Sequence, residues 1–143
     1  MTVLLDTSVV YAHHDRNAPR HESASVAMSR ALAGAFGQPI ITDYVYDEAV
    51  TLIHSRTTDR EAARRLGERI RGVGDFPDAI DLQFVGKEGF HRAVELHEEF
   101  DDQRLSFTDA TILAHVEKHG INSVLTFDDD FDGLVDRLDP RDL

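Results

Sequence analysis

Residues 106–131 read SFTDATILAHVEKHGINSVLTFDDDF. Ile112, Leu113 and Val116 recur at helical spacing from Ser106 to His119, Gly120 stops the helix, and the apolar run Ser123 to Phe127 follows as a short strand. A helix that delivers the chain into a buried strand is half of a β-α-β unit, so this stretch points to an α/β fold. It also ends oddly, with three consecutive carboxylates, Asp128, Asp129 and Asp130, where the chain leaves its core.

Outward from that stretch the alternation continues. Thr2 to Leu5 predicts a first strand and Ser8 to His14 a brief helix. After the polar link DRNAPR, a helix is expected from His21 to Phe36, closed by Gly37 and Pro39, and Ile40-Ile41 forms a minimal strand. Thr42 caps a helix running to Arg56, and Thr58 to Glu61 has capping-box spacing for another that ends near Gly72. IDLQFV at 80–85 alternates like a strand, Lys87 to Phe100 reads as a helix, and a short helix and last strand fill the carboxyl end. Strands separated by helices give an α/β sandwich with a mainly parallel sheet.

The 143 residues are 41% hydrophobic, with neither repeats nor an interdomain linker, which predicts one domain over 1–143. Folding should bury roughly two-thirds of its unfolded surface. The absence of cysteine excludes disulfides and thiolate metal sites, so a bound metal must use oxygen or imidazole ligands. No apolar run reaches membrane-spanning length and MTVLLDTS lacks a basic leader, so a cytoplasmic location without membrane contact is expected. The formal charge of -12, with Lys87 and Lys118 the only lysines, fits a halophilic protein whose acidic self-repulsion is screened by molar salt; an ordinary acidic protein is the alternative.

In a parallel sheet, ligands gather at the carboxyl ends of the strands. Asp6 ends the first strand and Asp128 the strand VLTF. At about 100° per residue, Glu48 falls roughly 40° from Leu52 and 60° from Val45, inward, while Asp43 and Asp47 point away. Asp109 lies one turn before Leu113, also inward and near a helix amino terminus that favours negative charge. Two carboxylates about 4 Å apart repel by about 4 kcal/mol even at an effective dielectric of 20. With no lysine or arginine on either inward stripe, a hard cation such as Mg²⁺ or Mn²⁺ is the simplest counter-charge.

The stretches LLDTSVVYA, ITDYVYDEAVTLI and SFTDATILAHVEKHGINSVLTFDDDF together resemble the PIN-domain nucleases, particularly the VapC-like toxins of toxin–antitoxin pairs. The resemblance covers nearly the whole chain and implies a PIN-like three-layer sandwich. It further implies that Asp6, Glu48, Asp109 and Asp128 bind Mg²⁺ or Mn²⁺ and carry catalysis, with Thr7, Ser106 and Thr126 as supporting hydroxyls. The activity implied is metal-dependent hydrolysis of RNA phosphodiesters by a homodimer that a small antitoxin holds inactive. Where the family pattern has one acid, this chain has three, and Asp129 or Asp130 is able to share the place of Asp128. Glu48 and Asp128 both stand as groups to orient the attacking water.

Other readings accompany this one. Asp128, Asp130, Asp132 and Gly133 fit the opening of a calcium loop with Asp139 at its close, though a strand rather than a helix precedes them and Glu48 and Asp109 go unexplained. A solitary RNA-processing nuclease without an antitoxin fits the same acids. Arg56, Arg60 and Arg64 share one side wherever helical geometry holds, placing them to contact RNA or an antitoxin, or else to pair with Glu61 and Glu68. His115 and His119 read as exposed helix histidines, and His13-His14, close enough behind DTS to line the site, read rather as having a plain loop role.

Overall fold

The computed structural model describes residues 1–102 and 104–143. Five strands, β1 (Thr2–Leu5), β2 (Gln38–Thr42), β3 (Asp81–Gln83), β4 (Ser123–Leu125) and β5 (Arg137–Leu138), form one sheet in the order β3-β2-β1-β4-β5, and every pairing is parallel. Six helices flank it: α1 (Thr7–His14), α2 (His21–Leu32), α3 (Asp43–Thr57), α4 (Arg60–Arg71), α5 (Gly86–Glu99) and α6 (Phe107–His119). This is the three-layer α/β sandwich expected, with a wholly rather than mainly parallel sheet.

β1, β2 and β4 are almost continuously buried, as strands covered on both faces must be. From β1 the chain winds outward through β2 to β3, then returns to the other side of β1 to lay down β4. The order therefore reverses between β1 and β4, and their carboxyl ends open the crevice where α/β folds place ligands.

Several boundaries differ from those read in the sequence. α2 stops at Leu32, four residues early, because Gly34 turns with φ of +86°. β4 ends at Leu125, so Asp128 stands beyond the strand and caps a short 3-10 turn, Asp129–Phe131. Thr58 does not cap α4. It closes α3 in the left-handed conformation, φ 52°, and Asp59 caps α4 by accepting from the Glu61 and Ala62 amides. That break separates Arg56 from Arg60 and Arg64, so the three arginines do not form one stripe. Arg64 pairs with Glu61 and Glu68.

His115 is a further correction: it is 1% exposed, and its Nε2 lies 2.7 Å from Gln83 Oε1. α6 is buried from Ala110 through His115, packed against α5 and α3, so the polar ring needed an internal partner. His119 is exposed as expected.

Candidate active site

Asp6 follows β1 directly, and its amide donates to the Leu125 carbonyl at 3.1 Å, fixing it beside the end of β4. The β1–β4 register pairs Leu5 with Leu125, which brings Thr126 alongside. Thr126 Oγ1 donates to Asp6 Oδ2 at 2.7 Å, Ser8 Oγ donates to the same oxygen at 3.2 Å, and the Phe127 amide donates to Ser8 Oγ at 3.2 Å. Burial nonetheless pushes the Asp6 carboxyl above its ordinary range, against these hydrogen bonds, and the charge of Glu48 adds to the push.

Asp109 occupies the third position of α6 in a capping box with Ser106. The Asp109 amide donates to Ser106 Oγ and the Ser106 amide to Asp109 Oδ2, both at 3.1 Å. The box aims the carboxylate and leaves it half-buried. Its pKa is pushed up to about 7, chiefly by burial and then by the charges of Asp6 and Asp128. Glu48 projects from α3, whose start is held by the Val45 amide donating to Thr42 Oγ1 at 3.2 Å.

One cleft of about 530 Å³ gathers Asp6, Glu48, Asp109 and Asp128 with Thr7, Ser8 and Ser106. Four acids distant in sequence thus share one wall at the topological switch point. Of the three consecutive aspartates only Asp128 lines the cleft; Asp129 is exposed, and Asp130 has its amide donating to Asp128 Oδ1 at 2.9 Å. Among the described residues, the one acidic triplet with oxygens all within 4.8 Å of one another is Asp128, Asp129 and Asp130, so the four converging carboxylates stand wider apart than that. The hydroxyls divide in role: Thr126 bonds Asp6, Ser106 caps α6, and buried Thr7 Oγ1 has no hydrogen-bond partner.

Neither inward stripe carries a lysine or arginine, yet the cleft is also lined by Arg20 and by Arg56, the latter already a candidate for RNA or antitoxin contact. The Arg20 guanidinium lies over the Phe127 ring at 4.9 Å, and that of Arg56 over Tyr11 at 4.8 Å. Tyr11 is itself fixed by donating to Asp15 Oδ2 at 2.6 Å. Neither arginine forms an ion pair among the described residues. Ser8, Tyr11 and Arg20 are the site residues missed. Ser8 had a signal in its place within LLDTS, whereas nothing in the polar link marks Arg20.

Two of the calcium-loop residues, Asp132 and Asp139, are otherwise engaged. Arg137 donates to Asp132 at 2.5 Å and to Asp139 at 3.2 Å, and Arg141 donates to Asp139 at 2.6 Å, so guanidiniums supply the positive charge there.

The profile of the PIN domain matches residues 3–136. The chain belongs to the PIN-domain family. Among solved structures it is similar to VapC20 of Mycobacterium tuberculosis, a toxin that cleaves the sarcin–ricin loop, with 25% identity and a TM-score of 0.77 over 90% of this chain and 92% of that one. It also superimposes on VapBC2 of Rickettsia felis, solved with a DNA fragment from its promoter, at 13% identity, with a TM-score of 0.70 over 96% and 98% of the two chains. A toxin–antitoxin complex from Klebsiella pneumoniae matches at 18% identity, with a TM-score of 0.64 over 96% and 97%. Comparison with curated protein sequences gives no match. Among the described residues of this PIN domain, no helix is long and apolar enough to cross a membrane.

Proposed function

We propose that this PIN domain, acting as one unit over 1–143, is a Mg²⁺- or Mn²⁺-dependent ribonuclease and the toxin of a toxin–antitoxin pair. It works in the cytoplasm as a homodimer that a small antitoxin restrains. The observation that carries this reading is the convergence of Asp6, Glu48, Asp109 and Asp128, from four separate elements, on a cleft where two of the carboxylates are raised by burial and mutual repulsion. The likeness to VapC20 supports an RNA substrate, and the likeness to toxin–antitoxin complexes supports the partner.

The donor set fits a hard divalent ion: it is all oxygen, it includes a buried Thr7 hydroxyl without a partner, and no cationic side chain pairs with its acids among the described residues. Asp6, Glu48, Asp109 and Asp128 are the residues that hold such an ion. When bound, it neutralises charge at the phosphate and acidifies water.

The chain's own groups do the remaining work. Thr126 and Ser8 fix the Asp6 carboxylate, and the capping box fixes Asp109. Glu48 or Asp128, each half-buried on the cleft wall, orients the attacking water and accepts its proton. Arg20 and Arg56, each held over an aromatic ring, offer N–H groups to the phosphates flanking the cut.

The test is cleavage of single-stranded RNA by purified protein with and without Mg²⁺ or Mn²⁺. Wild type should cut only with the ion, and Asp109→Asn should fold and not cut. Cutting that survives both excess chelator and this substitution overturns the assignment.

A further inference from the structure

The last turn of α1 leads from the acid cleft into a second one. Tyr11 and Ala12 line the first, whereas His13 and His14 line the second, about 500 Å³ in volume, together with Arg16, His21, Arg65 and Arg69. In a chain of net charge -12 with 15 basic residues, three arginines and three histidines in one cleft are a strong local departure. The two acids beside them are already engaged: Asp59 caps α4, and Glu61 pairs with Arg64. Arg16, Arg65 and Arg69 form no ion pair among the described residues.

Arg65 and Arg69, one helical turn apart on α4, both rest on the Phe76 ring, at 5.1 and 5.0 Å, which holds their forks without neutralising them. The imidazoles are fixed as well, His14 Nε2 on the Ala62 carbonyl at 2.9 Å and His21 Nδ1 on the Ala12 carbonyl at 2.8 Å. Burial, and after it the charge of Arg69, pushes His13 down to about 4. Each positioned guanidinium presents a fork able to take an oxyanion through two parallel hydrogen bonds.

We propose that this cationic cleft is a second phosphate site, which holds the backbone of the RNA beyond the nucleotides at the cut. The inference rests on the ribonuclease reading for the identity of the polymer. RNA is favoured over an acidic peptide by continuity. The α1–α2 connection carries Arg20 into the acid cleft and Arg16 into the cationic one, so a strand leaving the cut past Arg20 meets the second cleft next. A polymer with a phosphate at every nucleotide can occupy both at once. Its length dependence follows, because a fragment confined to the acid cleft cannot reach Arg65 and Arg69.

The experiment measures binding rather than cleavage. Labelled oligouridylates of about 12 and about 4 nucleotides are titrated, in chelator, against Asp109→Asn protein at the lowest KCl that keeps it folded. Adding Arg65→Gln and Arg69→Gln should weaken the longer RNA by about tenfold or more, leave the shorter unchanged, and flatten the plot of log affinity against log salt by about 0.7 for each phosphate no longer neutralised. Arg30→Gln with Arg92→Gln, the same charge change elsewhere, should leave the length dependence intact. Should the α4 variant melt, Arg16→Gln probes the same cleft from an exposed loop. Equal weakening of both lengths, or of neither, overturns the proposal. It is equally overturned if an oligoglutamate peptide binds through Arg65 and Arg69 while RNA does not. If wild type cuts no RNA, the ribonuclease assignment falls, yet the binding arms still decide this cleft.

Discussion

Asp109 and Asp139 are the same side chain under opposite electrostatics. Asp109 sits half-buried among Asp6 and Asp128, and its proton is held up to about 7. Asp139 accepts from Arg137 and Arg141 and from the Arg141 amide, and these partners hold its carboxyl well below the usual range. Where the chain supplies its own cation, acids lock a turn; where acids converge without a paired cation, they form a site that asks for a ligand. The 128–139 stretch contains both kinds. Its calcium-loop pattern fails at Asp132 and Asp139, which Arg137 holds, while Asp128 belongs to the other group.

The largest effect expected from this contrast is in the consecutive aspartates. Asp128→Asn should lower metal-dependent cleavage on the order of a hundredfold, as removal of a ligand or water-orienting group does. Asp130→Asn should cost a few-fold at most through the charge it shares with Asp128, and exposed Asp129→Asn should be nearly silent. Rates at fixed salt and saturating Mn²⁺ give the ranking. An Asp130 variant that is worst, and that also loses Ca²⁺ binding, would return the stretch to the calcium reading.

Next in size is stability on the other side of the comparison. The side chains of Arg137 and Asp139 are only 13% and 11% exposed. Arg137→Ala should therefore destabilise by about 1–3 kcal/mol by removing a nearly buried guanidinium that donates to Asp132, Asp139 and the Thr126 carbonyl. Chemical denaturation measures that loss, and cleavage per folded molecule should stay at the wild-type rate. A variant that is stable but inactive would show that the turn belongs to the site.

Much of this contrast was legible in the residues, and the exceptions share a cause. Asp6 could be placed because it ends a strand, and Glu48 and Asp109 because helical angles put them on the apolar side of α3 and α6. These are local rules, and they survived even where boundaries moved, as at the early end of β4. Arg20 was invisible because its place depends on Phe127, more than a hundred residues away. The arginine stripe failed at Thr58, where a residue other than glycine takes a left-handed conformation. His115 was misread because its partner Gln83 lies on β3, brought near only by the crossover.

The pH dependence of the two acids should run in opposite directions. Asp109 keeps its proton in the folded state up to about 7, against an ordinary value of 3.8, so without metal its contribution to stability is present at low pH and lost as pH rises through that window. Asp6 acts with the same sign. Asp139, depressed, stabilises at ordinary pH and loses that contribution only in strong acid. Melting in chelator should therefore show Asp109→Asn gaining on wild type from about pH 4 to pH 7 and holding level above that, by on the order of 1–2 kcal/mol after allowance for solvent screening. Mn²⁺ should raise the wild-type midpoint and leave the variant's nearly unmoved. A gap that does not change with pH would mean that Asp109 is not under the strain described.

The smallest effect expected is that of salt, since it acts on both kinds of acid at once. Raising KCl from about 0.1 to 1 M shortens the Debye length from about 10 to about 3 Å. Exposed like charges then cease to repel, and with a net charge of -12 that relief should dominate. The Arg137–Asp139 pair, nearly buried, is screened much less and should keep most of its contribution. The midpoint should accordingly rise by a few degrees across the range, in Arg137→Ala as in wild type, and less in Asp109→Asn, which has already lost one of its repelling charges. A midpoint that is flat or falling would mean that surface repulsion is not what limits this fold, and the halophilic reading of its composition would be wrong while the acid cleft stood unchanged.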